Sequence, residues 1–402
     1  MQNKMTEGNV IRALAAFTVP LILSGLFQQL FNWVDAFIVG NIEGETALAG
    51  IGATTSVYNL FVTVITGFAS GLSVLTAQRY GMGEKGKIRE LLSSYTVLFA
   101  LLFTVISAAG AVFTEELLVV LDTPETIFFS AQSYLKILFA GIPFIAVYNT
   151  YSAVLRGIGN SSAPFFSILV CSAVNVVLDL LFVAGMGYGA AGAAAATAIS
   201  QAAMAVYVIV YTVRKYPFLR FSFSGNLPDK TVWKSEAAYG LPSAVQSGVS
   251  SAGNIYLQQF MNGFGEHTVA AITTAYRVDT VIFLPIINFG SGIATVVAQN
   301  IGAGKPERAK QVFRAISRFY MIYGISMAVR GCLEGRGDML FSGIAGILSL
   351  GVRILCSYAF KPVFGNMVVA YAEAFSWIFL LAVLLLRYVV KTRQTFPHFV
   401  KK

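Results

Sequence analysis

Apolar positions along the chain fall into long unbroken blocks rather than the alternation of a half-buried strand or the single stripe of a surface helix. Thr46–Gln78, Leu91–Thr114 and Gly157–Leu178 contain no Lys, Arg, Asp or Glu. A helix rising about 1.5 Å per residue crosses the bilayer hydrocarbon with about 20 such residues. Hydropathy predicts ten spanning helices, near 13–39, 52–78, 91–113, 130–154, 163–185, 189–213, 237–262, 272–299, 340–360 and 366–390. The fold class is all-α, a polytopic membrane protein.

The connectors set the sidedness. Lys85, Lys87 and Arg89 follow the second span, Arg156 the fourth, Arg214, Lys215, Arg220, Lys230 and Lys234 the sixth, and five basic residues lie in Lys305–Arg318. The alternate connectors carry Glu43 and Glu45, then Glu115, Glu116, Asp122 and Glu125, then the neutral turn Gly185–Gly189; Lys361 is the exception. Lys and Arg mark the cytoplasmic side, so both termini are expected in the cytoplasm. The first apolar run is too long for a signal-peptide core and reads as a retained helix.

Composition sharpens the exclusions. Of 402 residues, 56% are hydrophobic and 12% charged, against about 25% charged in soluble domains, and mean hydropathy is +0.70. Three cysteines, Cys171, Cys332 and Cys356, lack zinc-ligand spacing, and two histidines cannot build a multi-histidine metal site. The net charge of +9 is accounted for by the inside loops, so no nucleic-acid partner is implied. No His-rich or Ser/Lys constellation lies within a span, so an enzyme is not expected, nor is any cofactor.

The chain repeats itself. At an offset of 222, Pro20 falls on Pro242, Asn32 on Asn254 and Ala49 on Ala271; after a one-residue slip, Ser70-Gly71, Ala77-Gln78 and Gly81-x-Gly83 fall on Ser291-Gly292, Ala298-Gln299 and Gly302-x-Gly304. A later block, Leu155-x-Gly157-x-Gly159-Asn160, falls on Leu333-x-Gly335-x-Gly337-Asp338 at an offset of 178. The second half is therefore shorter by 43 residues between the two blocks. This divides the chain into an amino-terminal lobe (1–213) with six helices, a cytoplasmic linker (214–235), and a carboxy-terminal lobe (236–402) with about four full helices. What remains near the gap, Phe319–Val329, is too short to span, so 305–338 is expected to be a cytoplasmic or interfacial segment, with a basic run suited to anionic headgroups; a strained, merged helix through 307–330 is the alternative.

Pro20 with Val34-Asp35, the Ala77-Gln78-x-x-Gly81-x-Gly83 turn, the Leu155-Arg156-Gly157-x-Gly159-Asn160 loop and Asn175-x-x-x-Asp179 together resemble the MATE (multidrug and toxin extrusion) family, in its prokaryotic DinF-like or MepA-like form, over essentially the whole chain. The resemblance implies two lobes of six helices around a central cleft, and exchange of Na⁺ or H⁺ for an amphipathic, often cationic drug across the cytoplasmic membrane. Most of helices nine and ten of that pattern are absent here.

Ionisable groups at membrane depth are costly, about 2.5–3.5 kcal/mol on insertion scales. Asp35, Asn32 and Gln28 share one helix face, and so do Asn175 and Asp179. Thr197 lies in an Ala-rich helix that permits close approach. Two carboxylates with amide and hydroxyl oxygens form a hard-oxygen set suited to Na⁺ or a shared proton. The resemblance carries the family's amino-lobe cation site onto Asp35, Asn175, Asp179 and Thr197, with Na⁺ or H⁺ at Asp35 and Asp179. The alternative for each polar group is a hydrogen bond to a neighbouring helix. In the second lobe, Leu257 is paired with Asp35 and Arg353 with Asn175; Arg353 and Glu373 are expected to form an intramembrane ion pair, or else to reach separately for the interface. Arg277 and Asp279 read as a solvated helix end.

Gln28, Asn32, Tyr58, Tyr148 and Tyr256 are candidates for the substrate cleft, the tyrosines by stacking on flat cations. Expected partners are a small-molecule drug and membrane lipid, with the chain working as a monomer. Two other readings compete: a flippase for lipid-linked oligosaccharides, which would carry cationic residues in its cleft rather than Asp35 and Asp179, and an inactive truncated relic.

Overall fold

The computed structural model describes residues 5–121, 123–221, 230–264, 266–316 and 322–395; the side chains of Asn32, Arg277 and Asp279 lie outside the described residues. The first lobe comprises α1 (Val10–Ile42), α2 (Gly44–Gly81), α3 (Lys85–Val112), a short α4 (Thr114–Val120), α5 (Glu125–Gly157), α6 (Ser162–Asp179), which runs on as a π-helical turn at Leu180–Gly185, and α7 (Gly189–Lys215). The second comprises α8 (Lys230–Asn262), α9 (Glu266–Gly302), α10 (Pro306–Ile316), α11 (Ile322–Gly335), α12 (Met339–Phe364) and α13 (Val368–Thr395). Among the described residues, nine helices are long and apolar enough to cross a membrane. This is a multi-pass membrane protein. A helix forms at each of the ten expected spans. α8 begins at Lys230, inside the stretch read as linker, whose residues 222–229 lie outside the described residues.

The two halves share their turns at atomic detail. Asn160 N–H donates to the Leu155 carbonyl at 2.8 Å and Asp338 N–H to the Leu333 carbonyl at 3.0 Å. The intervening Gly159 and Gly337 have φ of 92° and 86°, a left-handed backbone that only glycine adopts readily. These turns, with the 82–84 and 303–305 connectors, lie at one end of the bundle, called here the basic end. Glu43 meets Gly189 at the opposite, far end.

α5 is the buried axis of the first lobe. Leu135 and Phe139 pack with Phe99 and Phe103 of α3. Along α2 it meets Gly50 through Ser130 and Ala131, and Thr76 through Gly157. In the second lobe α11 reproduces only the basic-end part of this helix. Gly331 packs on Gly290 and Ala294 of α9, and Gly335 on Ala294 and Val297. Val329 and Leu333 are fully buried, with Cys332 and Ser326 beside them.

The stretch 305–338, expected to be a cytoplasmic or interfacial segment, folds as α10 and α11, and α11 lies inside the lobe. α11 is too short to span, yet it is packed inside the lobe, where neighbouring helices rather than lipid cover its apolar residues. α10 is amphipathic and rests Ala309 and Val312 on the cluster of Phe17 and Val297. Two basic groups at its start are engaged within the protein. Arg308 donates to the carbonyls of Met5, Glu7 and Gly8, and Lys305 to that of Thr6 at 3.0 Å.

The lobes meet through α1 with α9 and α2 with α8, the pairing that the repeat interchanges. At the basic end Gln78 Nε2–H donates to the Gly335 carbonyl at 3.0 Å, and Gln299 Nε2–H to the Gly157 carbonyl at 2.6 Å. Tyr239 O–H donates to Gln78 Oε1 at 2.9 Å. Gly81 and Gly302 allow the approach: a Cβ on Gly81 would overlap the Gln299 carbonyl, and one on Gly302 the Gln78 carbonyl.

Candidate cation site

Four polar groups expected on three helices come together in the first lobe. Asp35 on α1 and Asp179 at the end of α6 lie near enough for their carboxyl groups to act on each other. One helical turn before Asp179, Asn175 is fully buried. With its amide oriented to satisfy its surroundings, it donates to Asp179 Oδ2 at 2.7 Å and accepts from the Thr197 backbone N–H at 3.3 Å. In the other orientation its nitrogen faces Thr197 Oγ1 at 3.4 Å. Oδ1 of Asp35 and Oδ1 of Asp179 are buried without a hydrogen-bond partner.

A carboxyl–carboxyl hydrogen bond requires a proton between the two groups, since neither ionised oxygen can donate. A small cation could serve the same oxygens. Buried acceptors left without a donor are costly, so the geometry is that of a site for one positive charge, built from α1, α6 and α7. The π-helical turn begins directly after Asp179; such turns occur often at functional sites because they redirect side chains.

Two further residues belong to this region. Tyr134 of α5, 6% exposed, packs with Val39 of α1 and Val183 of the π-helical turn, and Tyr58 lies against the same cluster. Gln201 donates to Tyr58 Oη at 2.6 Å. Nothing in the sequence separates Tyr134 from the other tyrosines. Gln201, four residues after Thr197 on an otherwise apolar face, was detectable by spacing.

The cleft candidates scatter. Gln28 is exposed. Asn32 lies outside the described side chains. Tyr58 is part of the first-lobe interior. Tyr148, expected at the cleft, is instead buried at 9% exposure, its O–H 3.4 Å from the Pro164 carbonyl. A long aromatic side chain on the hub helix packs inward. Tyr256 is exposed, 6.0 Å from the Tyr358 ring. Beside that pair, the Lys361 ammonium lies 5.4 Å from the Phe260 ring and 4.9 Å from that of Phe264. Cation–π contact thus accommodates the one basic residue that broke the charge rule.

In the second lobe Arg353 Nη2 donates to Glu373 Oε2 at 3.1 Å and to Tyr276 Oη at 2.6 Å; the ion pair is formed. A second charged group was missed. Arg330 of α11 pairs with Glu334 at 2.7 Å and donates to Gln246 Oε1, and Ser342 donates to Glu334 at 2.8 Å.

A family model described as MatE matches residues 20–181 and 242–317. The chain belongs to the MatE family. The second matched stretch ends beside the point where the repeat register jumps, as expected for a MATE transporter lacking part of that lobe. The chain is 30% identical to the probable multidrug resistance protein YpnP of Bacillus subtilis (strain 168) over 306 residues, 75% of this chain and 68% of that one. It is 22% identical to the multidrug export protein MepA of Staphylococcus saprophyticus over 351 residues, covering 87% and 77%. Among solved structures, MATE in the bent conformation superposes with a TM-score of 0.88 over 97% of both chains at 20% identity. That likeness shows the fold, including two lobes in the same arrangement.

Proposed function

We propose that this MATE protein is a cation-coupled antiporter that extrudes amphipathic, often cationic drugs, exchanging Na⁺ or H⁺ at Asp35 and Asp179. The observation that carries the reading is the neighbouring pair of carboxyl groups, each with a buried oxygen that lacks a hydrogen-bond partner. Burying two acids in one place is costly unless a positive charge enters and leaves. The names of the relatives support the drug class. The basic connectors support placing the basic end in the cytoplasm.

The residues then have distinct tasks. Asp35 and Asp179 take up the cation. Asn175 and Thr197 orient Asp179. Binding draws α1 toward α6, and α1 is also a wall of the lobe boundary through Gly25, which faces Asn288 of α9. Cation and drug must favour opposite states of that wall, because a ligand with equal affinity for both shifts nothing.

The test is drug efflux from proteoliposomes under an imposed Na⁺ or H⁺ gradient. Asp35→Asn should abolish gradient-driven efflux while leaving drug binding intact. Normal driven efflux by that variant would refute the mechanism. An inactive wild type would favour the reading as a truncated relic.

A further inference from the structure

We propose that Arg353 is a fixed cation: in the second lobe it holds permanently the place that the first lobe leaves for an exchangeable one, so this transporter has a single coupling site. The inference rests on reading Asp35 and Asp179 as the cation site, and extends it to how many cations the protein carries.

The repeat supplies the comparison. α12 is the counterpart of α6 and α13 that of α7, following the turn shared by Asn160 and Asp338. In this register Arg353 stands at the position of Asn175, Ser357 at that of Asp179, and Leu257 of α8 at that of Asp35. The first lobe places two carboxyl groups here, with two oxygens lacking partners. At the corresponding positions the second lobe has none. Leu257 is buried, 5% exposed. The Ser357 hydroxyl is engaged by the Arg353 carbonyl at 2.8 Å.

The acid in this region is Glu373, on α13, and its partner is part of the chain. Arg353 bridges Glu373 and Tyr276 from the adjoining helices α13 and α9, and both ion-pair side chains are mostly covered, 16% and 17% exposed. One lobe therefore presents two acids in need of a positive charge, and the other an acid already matched by a guanidinium. A guanidinium stays protonated at any working pH, so it cannot be released in a transport cycle as Na⁺ or H⁺ can. Tethering also makes the filled state independent of the gradient. The second lobe is then held in its cation-bound geometry while the first alternates.

The proposal is tested by thermal unfolding in detergent, comparing NaCl with choline chloride and scanning pH. In the D35N/D179N background, where the first-lobe site is removed, melting should be indifferent to Na⁺. Adding Arg353→Ala should create a response, several degrees of stabilisation by Na⁺ or by acid, and Glu373→Gln on top should remove it. No response on adding R353A would overturn the proposal, as would a residual Na⁺ response of D35N/D179N that E373Q abolishes. A second measurement needs no change at Arg353: binding of radioactive Na⁺, or proton release on Na⁺ addition, should fall from one per wild-type molecule to none in D35N/D179N. A remaining equivalent would also overturn it. Failure of the first-lobe reading shows separately, as a wild type whose response survives in D35N/D179N unchanged.

Discussion

Gln78 and Gln299 are exchanged donors: each sends its side-chain amide across the lobe boundary to the carbonyl that ends the other lobe's buried helix, Gly335 for one and Gly157 for the other. The two bonds are related by the same repeat that relates the residues. Both carbonyls belong to the last turn of a helix, where the intrahelical donors have run out. The lobes therefore close on each other by satisfying each other's helix ends.

Opening the basic end must break both bonds. Spin labels at Met82 and Glu307, on opposite lobes, should report a short, narrow distance in the wild type, with Cys356→Ser removing the one native thiol that is not buried. Gln78→Ala with Gln299→Ala should lengthen and broaden it, and each single change should give about half the effect. An unaltered distribution in the double variant would show that the hydrogen bonds are incidental to closure.

Thr197→Val tests the support of the carboxyl pair. The change removes a hydroxyl beside Asn175 while keeping the shape of the side chain. A hydrogen bond is worth about 1 kcal/mol net, or roughly fivefold in an equilibrium constant. The cation concentration for half-maximal efflux should rise by about that factor, with little change in maximal rate.

Arg330 and Glu334 form a mostly buried pair, with side chains 20% and 12% exposed. Removing one partner of such a pair costs about 3–5 kcal/mol. Arg330→Met should therefore lower the melting temperature sharply, and Arg330→Met with Glu334→Leu should recover most of the loss. Equal melting of the single and double variants would show that the pair is not a unit.

Asp338 opens α12 and binds Arg387 at 2.8 Å and Lys391 at 3.3 Å. Burial works to raise its pKa, but these two cations outweigh it and hold the carboxyl below its usual value. A depressed folded-state pKa gives stability that is present above the unfolded value, about 3.9, and lost as pH falls through the folded one. The wild-type melting temperature should drop below about pH 4, and Asp338→Asn should start lower and flatten that part of the profile.

The repeat and the expected spans could be read directly, because a bilayer demands long apolar runs and the glycine turns recur as written. Asp35, Asn175, Asp179 and Thr197 stood out for the same reason: polar groups inside such runs are few. α11 was hidden by that criterion. Its apolar stretch is too brief for a spanning window, and only contact with α9 makes it interior. Arg330 and Glu334 were hidden with it, since charges next to a short apolar stretch read as a loop. Tyr134 gave no signal among 18 tyrosines, and the inward packing of Tyr148 depends on the neighbours of α5 rather than on its own context.

The brevity of α11 bears on how the protein is made. Its 14 residues reach about 21 Å, less than the hydrocarbon thickness, and they carry Arg330 and Glu334. Insertion machinery that partitions one segment at a time has no reason to leave such a piece in the bilayer. It can settle only once α9 presents Gly290, α8 offers Gln246 and α2 offers Gln78. Biogenesis of the second lobe is thus templated by helices synthesised before it, and damage to Gly290 or Gln246 should surface first as degraded nascent chains rather than as a slow pump.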